Sequence, residues 1–230
     1  MLKPHEIMKK YLIGICKGYS NSLVVCSPAG YGKTELTLST LKELGLEENE
    51  HYKYISNYIT PVELYLLLEE VNQLKEPRIL VLDDVEDTLT NQRSIGLLKG
   101  ALWASGGKRI VGWRSGSYRI KNKEIEFEGK VIMLLNQFNS KNPLLNALKD
   151  RSFYYEIKLE PFEIIELIKE RAKLPYLNSS YIQRRKVVEL LEKLKQNDLT
   201  LRSYPQAMNL FLLAPNHYQE LIQEMFNKKT

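Results

Sequence analysis

Residues Ser22–Gly45, "SLVVCSPAGYGKTELTLSTLKELG", decide how the chain reads. The run Ser22–Ser27 is short, apolar and rich in valine, and predicts a buried strand. From Lys33 onward Leu36, Leu38, Leu41 and Leu44 recur among polar residues near helical spacing, and Gly45 supplies a C-terminal stop. Between strand and helix stand Ser27, Pro28, Ala29, Gly30, Tyr31, Gly32, Lys33 and Thr34. These eight residues match the phosphate-binding pattern G-x-x-x-x-G-K-[ST] except at the first position, where serine replaces glycine. In such a loop successive backbone N–H groups and a helix start converge on phosphate oxygens. Gly30 and Gly32 allow the tight wrap, Lys33 reaches the β- and γ-phosphates, and Thr34 offers its hydroxyl to Mg²⁺. The first position lies at the strand exit, so serine is tolerated there if its backbone angles are ordinary ones.

A second stretch supports this reading. "RILVLDD" (Arg78–Asp84) is a near-continuous apolar strand ending in two acids. Asp83, at the strand's C-terminal end, is the candidate to hold Mg²⁺ through water in the crevice where open α/β sheets bind ligands. Asp84 is the candidate to polarise an attacking water, with Glu86 and Asp87 close by in sequence.

Strand and helix patterns alternate through the first two thirds of the chain. Helices are predicted over 4–19, "TPVELYLLLEEVNQL" with Thr60 as N-cap and Pro61 in the first turn, and "QRSIGLLKGALWAS", stopped by Gly106 and Gly107. Strands are predicted in "HYKYISNYIT", "KRIVGWRSG", "KEIEFEG", "KVIMLLNQF" and "FYYEIKL". This alternation implies βαβ units and a parallel sheet covered on both faces. From Glu160 the pattern becomes helical throughout. The expected fold is therefore α/β: a three-layer αβα core over 1–159, with a hairpin around 108–128, then a small all-helical domain over 160–230.

Composition agrees with a globular protein. The chain has 230 residues, 43% hydrophobic and 27% charged, with a formal net charge of +5. The mild positive charge is compatible with a polyanionic partner. Two cysteines, Cys16 and Cys26, lack any disulfide or metal-binding spacing, and the three histidines are scattered. No signal-peptide pattern and no apolar run of membrane-spanning length is present, so a cytoplasmic protein without membrane contact is expected.

With these residues in hand, the chain resembles AAA+ ATPases, P-loop NTPases with a ring-forming α/β core and a helical lid. "SPAGYGKT" resembles the family's Walker A motif and "VLDD" its Walker B motif, although the family usually has glutamate where this chain has Asp84. "VIMLLNQF" resembles the sensor-1 strand, which implies that Asn136 orients the attacking water. "NPLLNALKDRSFYYEIKL" resembles the stretch carrying the arginine finger, making Arg151 the candidate to complete a neighbouring subunit's site. "LTLRSYPQAM" resembles the start of the sensor-2 helix and offers Arg202. The resemblance implies hydrolysis of ATP to ADP and phosphate with Mg²⁺, by a homo-oligomer, a ring with a hexamer as one candidate size. The chain is also similar to compact AAA+ ATPases of phages and plasmids, which points to mobile-element replication.

Lys108, Arg109, Arg114, Arg119, Lys121 and Lys123 precede the next acidic residue, Glu124, with Trp113 and Tyr118 interleaved. Basic side chains neutralise phosphates and aromatic rings stack on bases. Arg114, Arg119, Lys121 and Lys123 are accordingly the candidate nucleic-acid contacts, in a position resembling the DNA-facing hairpin of AAA+ helicases. A solvated hairpin with Trp113 packed in the core is the competing reading. The expected activity is remodelling of, or movement on, DNA; the alternative is a nucleotide-dependent loader or adaptor that acts on a protein partner and hydrolyses weakly.

Overall fold

The computed structural model describes residues 3–104, 106–138, 141–194 and 199–227. By its internal contacts the chain divides into two units: Met1–Pro28 with Lys33–Ile157, and Ala29–Gly32 with Lys158–Thr230.

The first unit is built on five parallel strands: β1 (Ser22–Cys26), β2 (Tyr52–Ser56), β3 (Ile79–Asp83), β6 (Lys130–Leu135) and β7 (Phe153–Glu156), in the order β2-β3-β6-β1-β7. Every residue of β1 and β3 is buried, so both faces of the sheet are covered. That burial is why these strands read as unbroken apolar runs. Around the sheet lie α1 (Pro4–Cys16), α2 (Lys33–Glu43), α3 (Pro61–Val71), α4 (Gln92–Leu102) and α5 (Pro143–Lys149). Thr60 caps α3 as expected, its hydroxyl accepting from the Glu63 N–H at 3.2 Å. The result is an α/β P-loop fold, followed along the chain by further helices.

Register fixes what meets at the sheet's C-terminal edge. Ser56 pairs with Asp83, Asp83 with Leu134, and Cys26 with Leu135. The residues that follow these strands, Ser27, Asp84 and Asn136, therefore emerge side by side.

Three sequence expectations need adjustment. The first helix ends at Cys16 rather than near residue 19, because Gly18 turns the chain with φ +81°. Helix α4 ends at Leu102, before the two glycines: Trp103 is extended, and the Arg109 guanidinium donates to the Ala101 carbonyl at 3.1 Å. The "KRIVGWRSG" and "KEIEFEG" strands shrink to β4 (Ile110–Gly112) and β5 (Glu124–Glu126), an antiparallel pair separate from the main sheet.

The second unit holds α6 (Pro161–Lys173), α7 (Tyr181–Lys193), α8 (Ser203–Leu213) and α9 (Tyr218–Asn227) around a core including Ile168, Leu191, Tyr204 and Ile222. The stretch "YIQRRKVVELLEKLKQ" reads as a helix in sequence; α7 ends at Lys193, and the last two residues of that stretch lie outside the described residues. Ser180 caps α7, and the buried Arg184 donates to the Ala172 and Ser179 carbonyls at 2.8 and 2.5 Å, so this arginine closes the α6–α7 turn.

The site depends on β3, where Leu82 is fully buried immediately before Asp83. Leu82→Ala should lower the unfolding free energy by about 2–5 kcal/mol, measured as a lowered urea midpoint with unchanged slope.

Candidate functional site

Ser27 is buried but is not among the positive-φ residues, so the position makes no demand for glycine. Its N–H donates to the Leu135 carbonyl at 3.1 Å, continuing the β1–β6 ladder. Gly30 and Gly32 do need their freedom, with φ values of +82° and +83°.

Lys33, 5% exposed, begins α2 and turns its ammonium back toward the sheet. Nζ donates to the Ser27 carbonyl at 3.0 Å and to Asn136 Oδ1 at 2.9 Å. Burial pulls the lysine's pKa below its ordinary value, and the charges of Asp84, Asp83 and Glu86 oppose that shift. Thr34 Oγ1 donates to Asp83 Oδ2 at 2.6 Å. With its proton committed there, the threonine oxygen keeps its lone pairs for a cation.

Asp83 is the centre of the constellation and is 3% exposed. Its Oδ2 also accepts from the Tyr54 hydroxyl at 2.8 Å, while Oδ1 is buried with no hydrogen-bond partner. An orphaned buried carboxylate oxygen beside a threonine hydroxyl and a phosphate-type loop has the donor set Mg²⁺ favours: few protein oxygens, with phosphate and water completing the shell. Among the described residues there is no cluster of three or more His, Cys, Asp or Glu that could build a metal cage unaided. The residues present therefore fit a magnesium ion brought with a phosphorylated ligand, held by Thr34 and Asp83.

Asn136, Asp84 and Glu86 form the third part. Asn136 Nδ2 donates to Asp84 Oδ1 at 2.7 Å, and its backbone N–H donates to Glu86. Asp84 sits at φ +52°, a strained conformation for a residue with a side chain. Asp87 instead opens the 3-10 turn Thr88–Thr90. Asn136 thus touches both the lysine and the acid.

The tip of the loop, Ala29–Gly32, groups with the second unit. The Leu201 N–H donates to the Gly30 carbonyl at 3.0 Å, and Tyr31 packs against that unit's core. A Cβ on Gly30 would lie 2.8 Å from Thr200 Oγ1. Arg202, exposed, follows Leu201 directly and opens α8. Arg151 lies in the first unit; its guanidinium donates to the Ala147 carbonyl at 2.5 Å and stacks 4.9 Å over the Trp103 ring. The structure thus brings together Lys33, Thr34, Asp83, Asp84 and Asn136, and leaves Arg151 outside their network.

The basic hairpin differs from its sequence reading. Trp113 is buried, its ring 5.7 Å from that of Tyr65, as the competing reading expected; Tyr118 is 97% exposed. Arg109 is partly buried, donating to the Ala101 and Gly129 carbonyls. Lys108, Arg114 and Arg119 form ion pairs with Glu126, Glu124 and Glu63. Among the described residues Lys121 and Lys123 are exposed and form no ion pair.

Comparison with known proteins follows the same lines. No protein-family model matches the chain. It is 30% identical over 178 residues to an uncharacterized 36.7 kDa protein of the nrdC–mobD intergenic region of Enterobacteria phage T4, an alignment covering 71% of this chain and 53% of that one. The chain thus spans about half the length of that curated relative. Solved structures of two Thermotoga maritima RuvB variants superpose with TM-scores of 0.58 and 0.56, at 16% and 13% identity. They cover 98% and 96% of this chain and 71% and 68% of theirs. At these identities the likeness shows the fold alone: an α/β P-loop fold like that of RuvB. No helix among the described residues is long and apolar enough to cross a membrane.

Tyr54 was missed by sequence reasoning, because only the pairing of β2 with β3 brings it to Asp83. Burial, then the bond to Asp83, raises its pKa, so the phenol stays protonated and remains a donor. Tyr54→Phe should weaken the Mg²⁺ contribution to nucleotide affinity by about ten-fold, the usual scale for groups that orient a metal ligand. Titrating Mg²⁺ at fixed labelled ADP measures this; metal-free ADP affinity should not change.

Proposed function

We propose that this chain binds ATP with Mg²⁺ and hydrolyses it to ADP and phosphate, as a homo-oligomer whose turnover is coupled to DNA. The observation that carries the reading is the Thr34–Asp83 pair with Asp83 Oδ1 left open in a buried position. Magnesium, when bound with the nucleotide, neutralises charge on the β- and γ-phosphates. The chain's own groups supply the rest. The N–H groups of the Gly30–Lys33 loop and the start of α2 face the phosphates. Lys33 exchanges an Asn136 or Ser27 acceptor for a phosphate oxygen, which suits a lysine already drawn out of water. Phosphoryl transfer to water requires placed charge more than covalent chemistry. Asn136, released by the lysine, orients the water, and Asp84 or Glu86 accepts its proton.

Arg202 is positioned to follow the nucleotide state, since it opens α8 one residue after Leu201, which is bonded to Gly30. Arg151 serves a neighbouring subunit's site after leaving Trp103 and Ala147. Lys121 and Lys123, with Arg114 and Arg119 freed from their carboxylates, contact nucleic-acid phosphate. Exposed pairs of that kind are worth about 0–1 kcal/mol and yield readily.

A second reading is a nucleotide-dependent loader or adaptor that acts on a protein partner and hydrolyses weakly. The Asn136–Asp84 bond favours it, because the shorter acid is already engaged.

ATP turnover per subunit should rise with protein concentration and rise further with DNA. Lys121→Glu with Lys123→Glu should remove the DNA response. Mixing Arg151→Ala with Lys33→Ala subunits, each inactive alone, should restore part of the activity. Turnover independent of concentration and of DNA contradicts the first reading, and absence of rescue in the mixture contradicts the trans arginine.

A further inference from the structure

A cavity of about 380 Å³ opens between α4 and the β4–β5 hairpin, away from the nucleotide residues. Its walls are Arg93, Gly96 and Leu97 from one face of α4, and Gly112, Trp113, Arg114 and Ser115 from the hairpin. We propose that this cleft binds one nucleotide unit of a single nucleic-acid strand, its phosphate held between Arg93 and Arg114 and its base lying against Leu97 and the edge of Trp113 that lines the cleft. The proposal rests on the reading of nucleic acid as this protein's partner and gives that partner a place.

Four features of the cleft support this. First, Arg93 is exposed at the second position of α4 and, among the described residues, makes no ion pair. Arg114 has one partner, Glu124 at 3.2 Å, with both side chains more than half exposed, so a phosphate can displace it. Two guanidinium forks on facing walls suit the tetrahedral, multiply accepting phosphate better than two lysines would. Second, the floor is apolar and partly aromatic, a surface that a hydrated phosphate alone has no use for and an unstacked base does. Third, Trp113 lines the cleft while only 5% exposed, and its indole N–H is a buried donor with no acceptor among the described residues. Fourth, glycine occurs where a ligand needs room: a Cβ on Gly96 would meet nothing within 4 Å. The same hairpin carries Lys121, Lys123 and the nearly fully exposed Tyr118, so the strand continues over a basic, aromatic surface. A base can enter only when unpaired, which makes single strands the preferred form.

The test is fluorescence anisotropy of the full chain with a labelled oligothymidine of about 20 nucleotides, and with its blunt duplex, over a salt series starting near about 50 mM. Wild type should prefer the single strand. Arg93→Glu should weaken binding at least about ten-fold and reduce the log–log salt slope by about 0.7 for each phosphate that is no longer neutralised. An acidic residue in the first turn suits the helix dipole, so this variant should fold normally. Gly96→Leu fills the cleft without changing charge, on an exposed helical position that tolerates leucine. It should weaken single-strand binding while leaving the salt slope intact. Arg185→Glu, the same charge change on α7, should bind like wild type.

The cleft is overturned if Arg93→Glu and Gly96→Leu both bind as wild type does. It is equally overturned if Arg185→Glu weakens binding as much as Arg93→Glu, which would mean general charge attraction. If wild type binds neither probe, the nucleic-acid reading itself fails and the cleft falls with it.

Discussion

A single carboxylate organises this molecule's chemistry. Asp83 ends β3 in a buried position, where one oxygen accepts hydrogen bonds from the Thr34 and Tyr54 hydroxyls and the other has no partner among the described residues. Leaving a charged oxygen buried and unsatisfied is costly, and folded proteins do so where a ligand will supply the missing charge. The surrounding structure meets the requirements of that arrangement. Parallel pairing aligns the ends of β1, β3 and β6, the phosphate-type loop sets Thr34 opposite Asp83, and Lys33 balances the acids while bonded to Ser27 and Asn136.

Asn136 has an intermediate position in this network. Its amide oxygen holds the lysine, the amide nitrogen holds Asp84, and the backbone N–H holds Glu86. A phosphate that draws the lysine away changes what the asparagine can offer to both acids. A second connection runs through the loop tip, since Gly30 is bonded to Leu201, the residue before Arg202. The loop tip and the residue before α8 are thus joined by a backbone hydrogen bond.

Much of this was legible in the sequence, for definite reasons. The strands β1 and β3 are buried on both faces, so they read as apolar runs; the glycines at 30 and 32 were required by backbone angles that other residues rarely adopt. The substitution at Ser27 was resolved only by the structure, which needs no positive φ there. What local pattern could not show are contacts between distant segments. Tyr54 meets Asp83 across a strand pair, Arg119 meets Glu63 on α3, and Arg109 ends α4 by donating to the Ala101 carbonyl. Trp113 looked like part of a basic, aromatic surface, yet the ring of Tyr65 and the hairpin's own fold bury it. Arg93, which forms no ion pair among the described residues, is distinguished from the other arginines only by the cavity beside it.

The central claim is that the open oxygen of Asp83 awaits a magnesium ion carried by a nucleoside phosphate. Isothermal titration calorimetry of the purified chain with ADP and with a non-hydrolysable ATP analogue, in Mg²⁺ and in EDTA, tests it most directly. The account predicts saturable binding near one nucleotide per chain, strengthened by Mg²⁺ in the wild type and not in Asp83→Ala. Absence of binding under both conditions, or an equal Mg²⁺ effect in Asp83→Ala, would contradict it.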